Sequence, residues 1–285
     1  MVRRLLQARH SVAVHDLRKE AASGLLESGA SWADTPRAAA SGCELVFTSL
    51  PGPAEVESVL LDPQAGILAG LAPGACYVDT TTNSPAVFRR LAEECRKRGI
   101  EVLDAPVSGG RQGAVAGTLA VMVGGSAATL ERVRPVLEIL GSNLVHVGDI
   151  SAGMTAKLVV QHLVHAHLLS DAEGMLLGVK AGLDPRRLLA VLQSSSASSG
   201  TMDVFPRLVF DGQFSAPATF EGVLKDLGLV RELATQIELE TPVLDQVQGV
   251  LERGRGLGCD EAGFLANVRT MEQLAGCELR DRKLA

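Results

Sequence analysis

The order of apolar runs constrains this chain more than any other feature. Up to about residue 149, short runs rich in Val, Leu and Ile alternate with helical stretches. The runs fall at 11–16, 44–50, 75–79, 100–104, 118–124 and 143–146. Helical patterns lie between them near 18–28, 84–98 and 126–140. Continuous apolar strands alternating with helices specify a parallel sheet covered on both faces. From residue 151 the strand signal stops. Residues 155–180 read as one long, mostly apolar helix, of a length typical of a buried spine. Further helices are expected near 184–194, 223–239, 242–253 and 261–275, with Pro185 and Pro242 in tolerated first-turn positions. The reading is therefore α/β: an N-terminal Rossmann-like parallel sheet over 1–149, then an all-α domain over 150–285. The hinge is expected at 148–153. Residues 194–199 read as a polar loop.

Composition excludes several functions. Acidic residues number 33 and basic residues 27, for a net charge of −6, which gives no electrostatic footprint for nucleic acid or an anionic membrane. Aromatics make up only 3%, too few for a base-stacking platform. No apolar run is long enough to span a bilayer. Met1-Val-Arg-Arg-Leu-Leu-Gln7 lacks a signal-peptide core. The five cysteines are scattered without a Cys-x-x-Cys pair or a Cys/His cluster, which fits reduced thiols in the cytoplasm and no metal site.

A sheet half followed by a helical half suggests a dinucleotide-binding enzyme. Asp16 ends an early strand, where an acidic residue takes the ribose hydroxyls of NAD and repels a 2′-phosphate. Arg18 works the other way, since a guanidinium could accept NADP. The plainer role for Asp16 is a cap on the following helix. What normally precedes such an Asp is a strand and a Gly-x-Gly-x-x-Gly turn opening a helix. Here residues 1–9 read as the back half of that helix, and roughly fifteen to twenty residues of the unit are expected to be missing. The missing strand would be central and would leave two strand edges unpaired.

Five motifs then occur in order. Leu50-Pro51 follows a strand. Asp79-Thr-Thr-Thr82-Asn-Ser-Pro85 follows the next. Asp104-Ala-Pro-Val-Ser-Gly-Gly110 is the most specific. Gly153-Met-Thr-Ala-Lys157-Leu158 opens the long helix, and Leu224-Lys225-Asp226-Leu227 lies further on. With them the chain resembles the β-hydroxyacid dehydrogenase family, the group around 3-hydroxyisobutyrate dehydrogenase and tartronate semialdehyde reductase, from about residue 1 to 275. The resemblance implies an oxidoreductase moving a hydride between NAD and a small β-hydroxy acid or its semialdehyde. It places Lys157 as the catalytic lysine and Ser108, Gly109 and Gly110 around the substrate carboxylate. It puts Leu50, Pro51 and Thr82 in the cofactor cleft, with Lys225 reaching the cofactor. It also implies a homodimer or homotetramer paired through the helical half.

The chemistry suits these residues. Alcohol oxidation needs a group that accepts the hydroxyl proton, and reduction needs the same group to return it. A lysine does both if desolvation or a nearby cation lowers its pKa. Glycines expose backbone N–H groups to an anion, and Ser108 adds a hydroxyl donor. One departure bears on substrate. The family usually carries Asn-Asn three and four residues after the lysine, where this chain has Val160 and Gln161. Gln161 shares the face of Lys157, and its amide, one methylene longer, is expected to touch the reacting oxygen from a shifted place. His162, His165 and His167 on the same helix are read as core or interface residues, and Trp32 as packing. The competing readings are an imine reductase-like enzyme, against which Lys157 argues, and a non-catalytic scaffold that has lost cofactor binding.

Overall fold

The structure is a computed structural model that describes residues 1–210, 212, 214 and 218–280. The chain forms two compact units, Met1–Lys157 and Leu158–Ala285.

The first unit opens with α1 (Val2–Gln7), then β1 (Ala13–Val14), a 3-10 turn at Lys19–Ala22, α2 (Ser23–Leu26), β2 (Ser31–Trp32) and α3 (Pro36–Ala40). β3 (Leu45–Thr48), α4 (Pro53–Leu61), β4 (Cys76–Asp79), α5 (Pro85–Lys97) and β5 (Glu101–Asp104) follow. It closes with β6 (Val107–Ser108), α6 (Gly110–Ala116), β7 (Ala120–Gly125), α7 (Ala127–Leu140) and β8 (Asn143–Gly148). β3, β4 and β5 run parallel, as their apolar sequences require. All four residues of β4 are buried, because helices cover both faces.

Two features depart from an all-parallel sheet. β7 runs antiparallel to β5 and β6, and β8 is parallel to β7. β5 and β6 lie along the same side of β7, interrupted at Ala105-Pro106, where proline has no N–H to offer. The short link through α6 then returns the chain beside β5 as β7, with its direction reversed. The second departure was expected from the sequence. Among the described residues β1 and β2 pair only with each other, in a two-stranded sheet separate from the larger one, and β3 pairs on one side only.

Local chemistry sets the helices. The Ser84 hydroxyl caps α5 by accepting the Val87 N–H, and Pro85 fills the first turn. Phe88, Leu91 and Cys95 then fall on one buried face. Ser126 caps α7 in the same way, and Leu130, Val133, Leu137 and Leu140 are buried along it.

In the second unit α8 (Ala152–Lys180) continues from the first. α9 (Pro185–Gln193), α10 (Phe205–Phe210), α11 (Phe220–Gln236) and α12 (Pro242–Gly256) follow, then a 3-10 stretch at Asp260–Leu265 and α13 (Ala266–Ala275). Asp184 caps α9 and Thr219 caps α11. The α8 core face carries Leu168, Ala172, Met175, Leu176 and Val179. Its other face is not buried: Leu177 is 74% exposed and Val159 51%. The helix is half spine, half surface. Ser199 and Thr201 donate to the carboxylate of buried Asp171 on α8, which ties down the end of the serine-rich loop.

Candidate active site

The carboxyl ends of parallel strands are where α/β sheets bind ligands. Strand register puts one row of residues there: Thr48 opposite Asp79, Asp79 opposite Asp104, Asp104 opposite Gly124. Two carboxylates in this row are fully buried.

Asp79 organises the turn that carries Thr82. Its Oδ1 accepts the Thr48 hydroxyl at 2.8 Å and the Thr81 N–H at 3.0 Å, and its Oδ2 accepts the Asn83 amide at 3.1 Å. Thr48 has one hydroxyl proton and gives it to Asp79. The Tyr77 hydroxyl, 2.7 Å away, must therefore donate to Thr48. Burial pushes the Asp79 carboxyl up, against the pull of these donors. The Leu50 N–H donates to the Thr81 hydroxyl at 3.0 Å. That bond brings the Leu50-Pro51 loop beside the Thr80–Thr82 loop, so these three expected cofactor residues lie together.

Asp104 connects two other motifs. Its Oδ1 accepts the Ser151 N–H at 2.7 Å and its Oδ2 the Met154 N–H at 2.8 Å. The Asp104–Gly110 segment is thereby bonded to the start of the lysine helix. Burial raises the Asp104 carboxyl to about 6, and the two N–H donors pull it down. Gly109 and Gly110 take φ values of +122° and +61°, backbone that favours glycine, directly after Ser108 at the end of β6. Lys157 is buried on α8 at 8% exposure.

Asp16 follows β1 and is exposed; its Oδ1 accepts the Arg18 N–H at 2.8 Å. This bond closes a local turn and does not cap a helix: the 3-10 turn that follows has Arg18 at its N-cap and no side-chain cap bond, so the capping role expected of Asp16 is not met. In the second unit, Gln161 donates through Nε2 to Asp226 Oδ2, and Lys225 Nζ lies 2.6 Å from Asp226 Oδ1. Sequence reasoning named Gln161 and Lys225 but gave no role to the carboxylate that joins them. Its signal was adjacency, in Leu-Lys-Asp-Leu. Asp79 and Asp104 were likewise quoted only as motif letters. His165 is buried with its ring 5.4 Å from that of Phe264, and His167 is exposed. Among the described residues no group of three His, Cys, Asp or Glu side chains is placed to hold a metal. No helix among them is long and apolar enough to cross a membrane.

The residues fit part of a nicotinamide dinucleotide. Asp16 stands at a strand end where ribose hydroxyls are held, and Leu50, Pro51 and Thr82 border the carboxyl ends of β3 and β4. No glycine-rich turn precedes Asp16 in the 285 residues.

Fold and site together define a two-domain dehydrogenase dependent on a nicotinamide cofactor. Residues 1–148 match the family described as the NAD binding domain of 6-phosphogluconate dehydrogenase. Residues 151–271 match that described as NAD-binding of NADP-dependent 3-hydroxyisobutyrate dehydrogenase. The chain is 38% identical over 250 residues to 3-hydroxyisobutyrate dehydrogenase of Pseudomonas aeruginosa, covering 85% of this chain and 84% of the relative. It is 33% identical over 273 residues to 2-(hydroxymethyl)glutarate dehydrogenase of Eubacterium barkeri, covering 95% and 90%. The solved structure of Mycobacterium tuberculosis 3-hydroxyisobutyrate dehydrogenase with L-serine superposes with a TM-score of 0.84 at 28% identity, covering 95% of this chain and 94% of that one. The chain belongs to the β-hydroxyacid dehydrogenase family, and it is an NAD(P)-binding oxidoreductase.

Proposed function

We propose that this chain oxidises a small β-hydroxy acid, or reduces the matching semialdehyde, with NAD as the preferred cofactor. The observation that carries this is the Asp104 carboxylate, which bonds the carboxylate-binding segment to the helix of Lys157. Residues 1–149 hold the cofactor and 150–285 form the helical substrate and assembly domain.

The bound cofactor supplies or accepts the hydride. Lys157 takes the substrate hydroxyl proton in oxidation and returns it in reduction. Its burial at the start of α8 supports this role by keeping the amine out of bulk water. Ser108 donates its hydroxyl to the substrate carboxylate, and the Gly109 and Gly110 backbone approaches it closely. Gln161, one turn beyond Lys157, contacts the reacting oxygen. Lys225 and Thr82 contact the cofactor, as do Leu50 and Pro51.

The exposed apolar face of α8 supports assembly of the helical half into a homodimer or homotetramer. The scattered free thiols support a cytoplasmic location.

The test is turnover with NAD and NADP on a panel holding 3-hydroxyisobutyrate, L-serine, tartronate semialdehyde and a cyclic imine. Saturable turnover of a β-hydroxy acid or semialdehyde is expected. Turnover of the imine alone would overturn the reading. Asp16 gives a sharper expectation. Asp16→Ala lowers the NAD over NADP ratio of kcat/KM about tenfold, since one charged hydrogen-bonding group is worth about 1.5 kcal/mol or more. An unchanged ratio removes Asp16 from the cofactor site.

A further inference from the structure

α8 begins in a tight slot. Ser151, just before it, sits at φ +74° in the left-handed region, unusual for a residue with a Cβ. Its hydroxyl accepts Arg89 Nη1 at 2.8 Å. The first N–H groups of a helix have no acceptor within it. Asp104, 47 residues earlier in sequence than Ser151, supplies one oxygen to the Ser151 N–H and the other to the Met154 N–H. Two glycines make room for that carboxylate. A Cβ on Gly124 would stand 2.5 Å from Asp104 Oδ1. One on Gly153 would stand 2.9 Å from Oδ2 and 2.4 Å from the Met122 carbonyl oxygen.

Lys157 lies three residues past Met154, on the same helix face and about 4.5 Å along the axis. Asp104 is also the first residue of the segment ending in Ser108, Gly109 and Gly110. One strand end therefore anchors both the carboxylate-binding turn and the lysine helix. Resting on the reading of Lys157 as proton carrier, we propose that Asp104 is a positioning residue. By gripping the two N–H groups at the start of α8, it fixes the rotation and height of the helix, and so where the Lys157 amine stands relative to the Ser108–Gly110 turn. It touches neither substrate nor cofactor. Proton transfer operates over a heavy-atom distance of about 2.6–3.2 Å, so a small slide of the helix is enough to slow it.

The experiment compares Asp104→Asn, Lys157→Ala and the double variant in the full chain, on whichever hydroxy acid the wild type turns over. Asparagine keeps the shape but offers one acceptor and turns its NH2 toward the other N–H. For Asp104→Asn, kcat should fall about 30-fold, while KM and the Kd for NADH stay within about threefold. Amide hydrogen exchange over residues 151–158 should quicken. In the Lys157→Ala background the Asn substitution should add no further loss, because both act on one step. Full kcat with faster exchange, or a loss that multiplies in the double variant, overturns the proposal. Should Asp104→Asn fail to fold, Gly153→Ala displaces the helix start from the other side. It should also lower kcat at near-constant KM, and an unchanged kcat is again fatal. Lys157→Ala separates the two readings. If it retains turnover, the proton-carrier role falls and this proposal with it. If it is inactive while Asp104→Asn is fully active, only the positioning role falls.

Discussion

Lys157→Ala lowers kcat by about 10³-fold and leaves NADH binding within about threefold of wild type. General acid–base groups contribute about 10²–10⁴-fold, and Lys157 is the buried amine proposed for that role. The cofactor contacts proposed above do not include Lys157, so affinity for NADH is spared. Lys157→Arg gives no rescue, because a guanidinium keeps its proton at working pH. Steady-state kinetics beside a fluorescence titration with NADH checks the prediction. Turnover within tenfold of wild type would remove Lys157 from the chemistry.

Asp79→Ala destabilises the first unit by about 3–5 kcal/mol. The Thr48 hydroxyl, the Thr81 N–H and the Asn83 amide all lose an acceptor in a buried place. Each abandoned donor costs about 1–3 kcal/mol, offset in part by relief of the buried carboxylate. At about 2–4 °C per kcal/mol for units of 150–250 residues, the midpoint of thermal unfolding should drop by about 10 °C. Asp79→Asn keeps an acceptor oxygen and should lose less than half as much. A drop below about 3 °C for Asp79→Ala would mean that the turn finds other partners.

The larger elements were legible because their burial is written in the order of residues. Five of the six strands in the main sheet and the helices α5, α7 and α8 coincide with apolar runs or 3.6-residue patterns. β2 and β6 were not read, since each is two residues long and, unlike β1, neither lies within a longer apolar run. β6 also lies behind Pro106, which argues against a strand. The antiparallel course of β7 was invisible for another reason. A buried strand has the same apolar composition in either direction. At the site, Lys157, Ser108 and the glycines stood in contiguous motifs. The bonds of Asp104 to Ser151 and Met154, and of Asp226 to Gln161, did not reveal themselves, because those partners lie 47 to 65 residues away and a carboxylate in sequence reads as surface.

The division of strands between two sheets has a thermodynamic reading. Asp16 hangs from β1, which bonds only to β2, whereas Leu50, Pro51 and Thr82 hang from the main sheet. On the assignment proposed above, the cofactor contacts at Asp16 and those at Leu50, Pro51 and Thr82 belong to two separately bonded pieces of backbone. A two-stranded piece of this size has little stability of its own. Changes at Asp16 and at Thr82 should combine as independent increments of binding free energy. On that proposal, selection between NAD and NADP can drift on the small sheet without disturbing the Asp104 anchor of α8 on the large one.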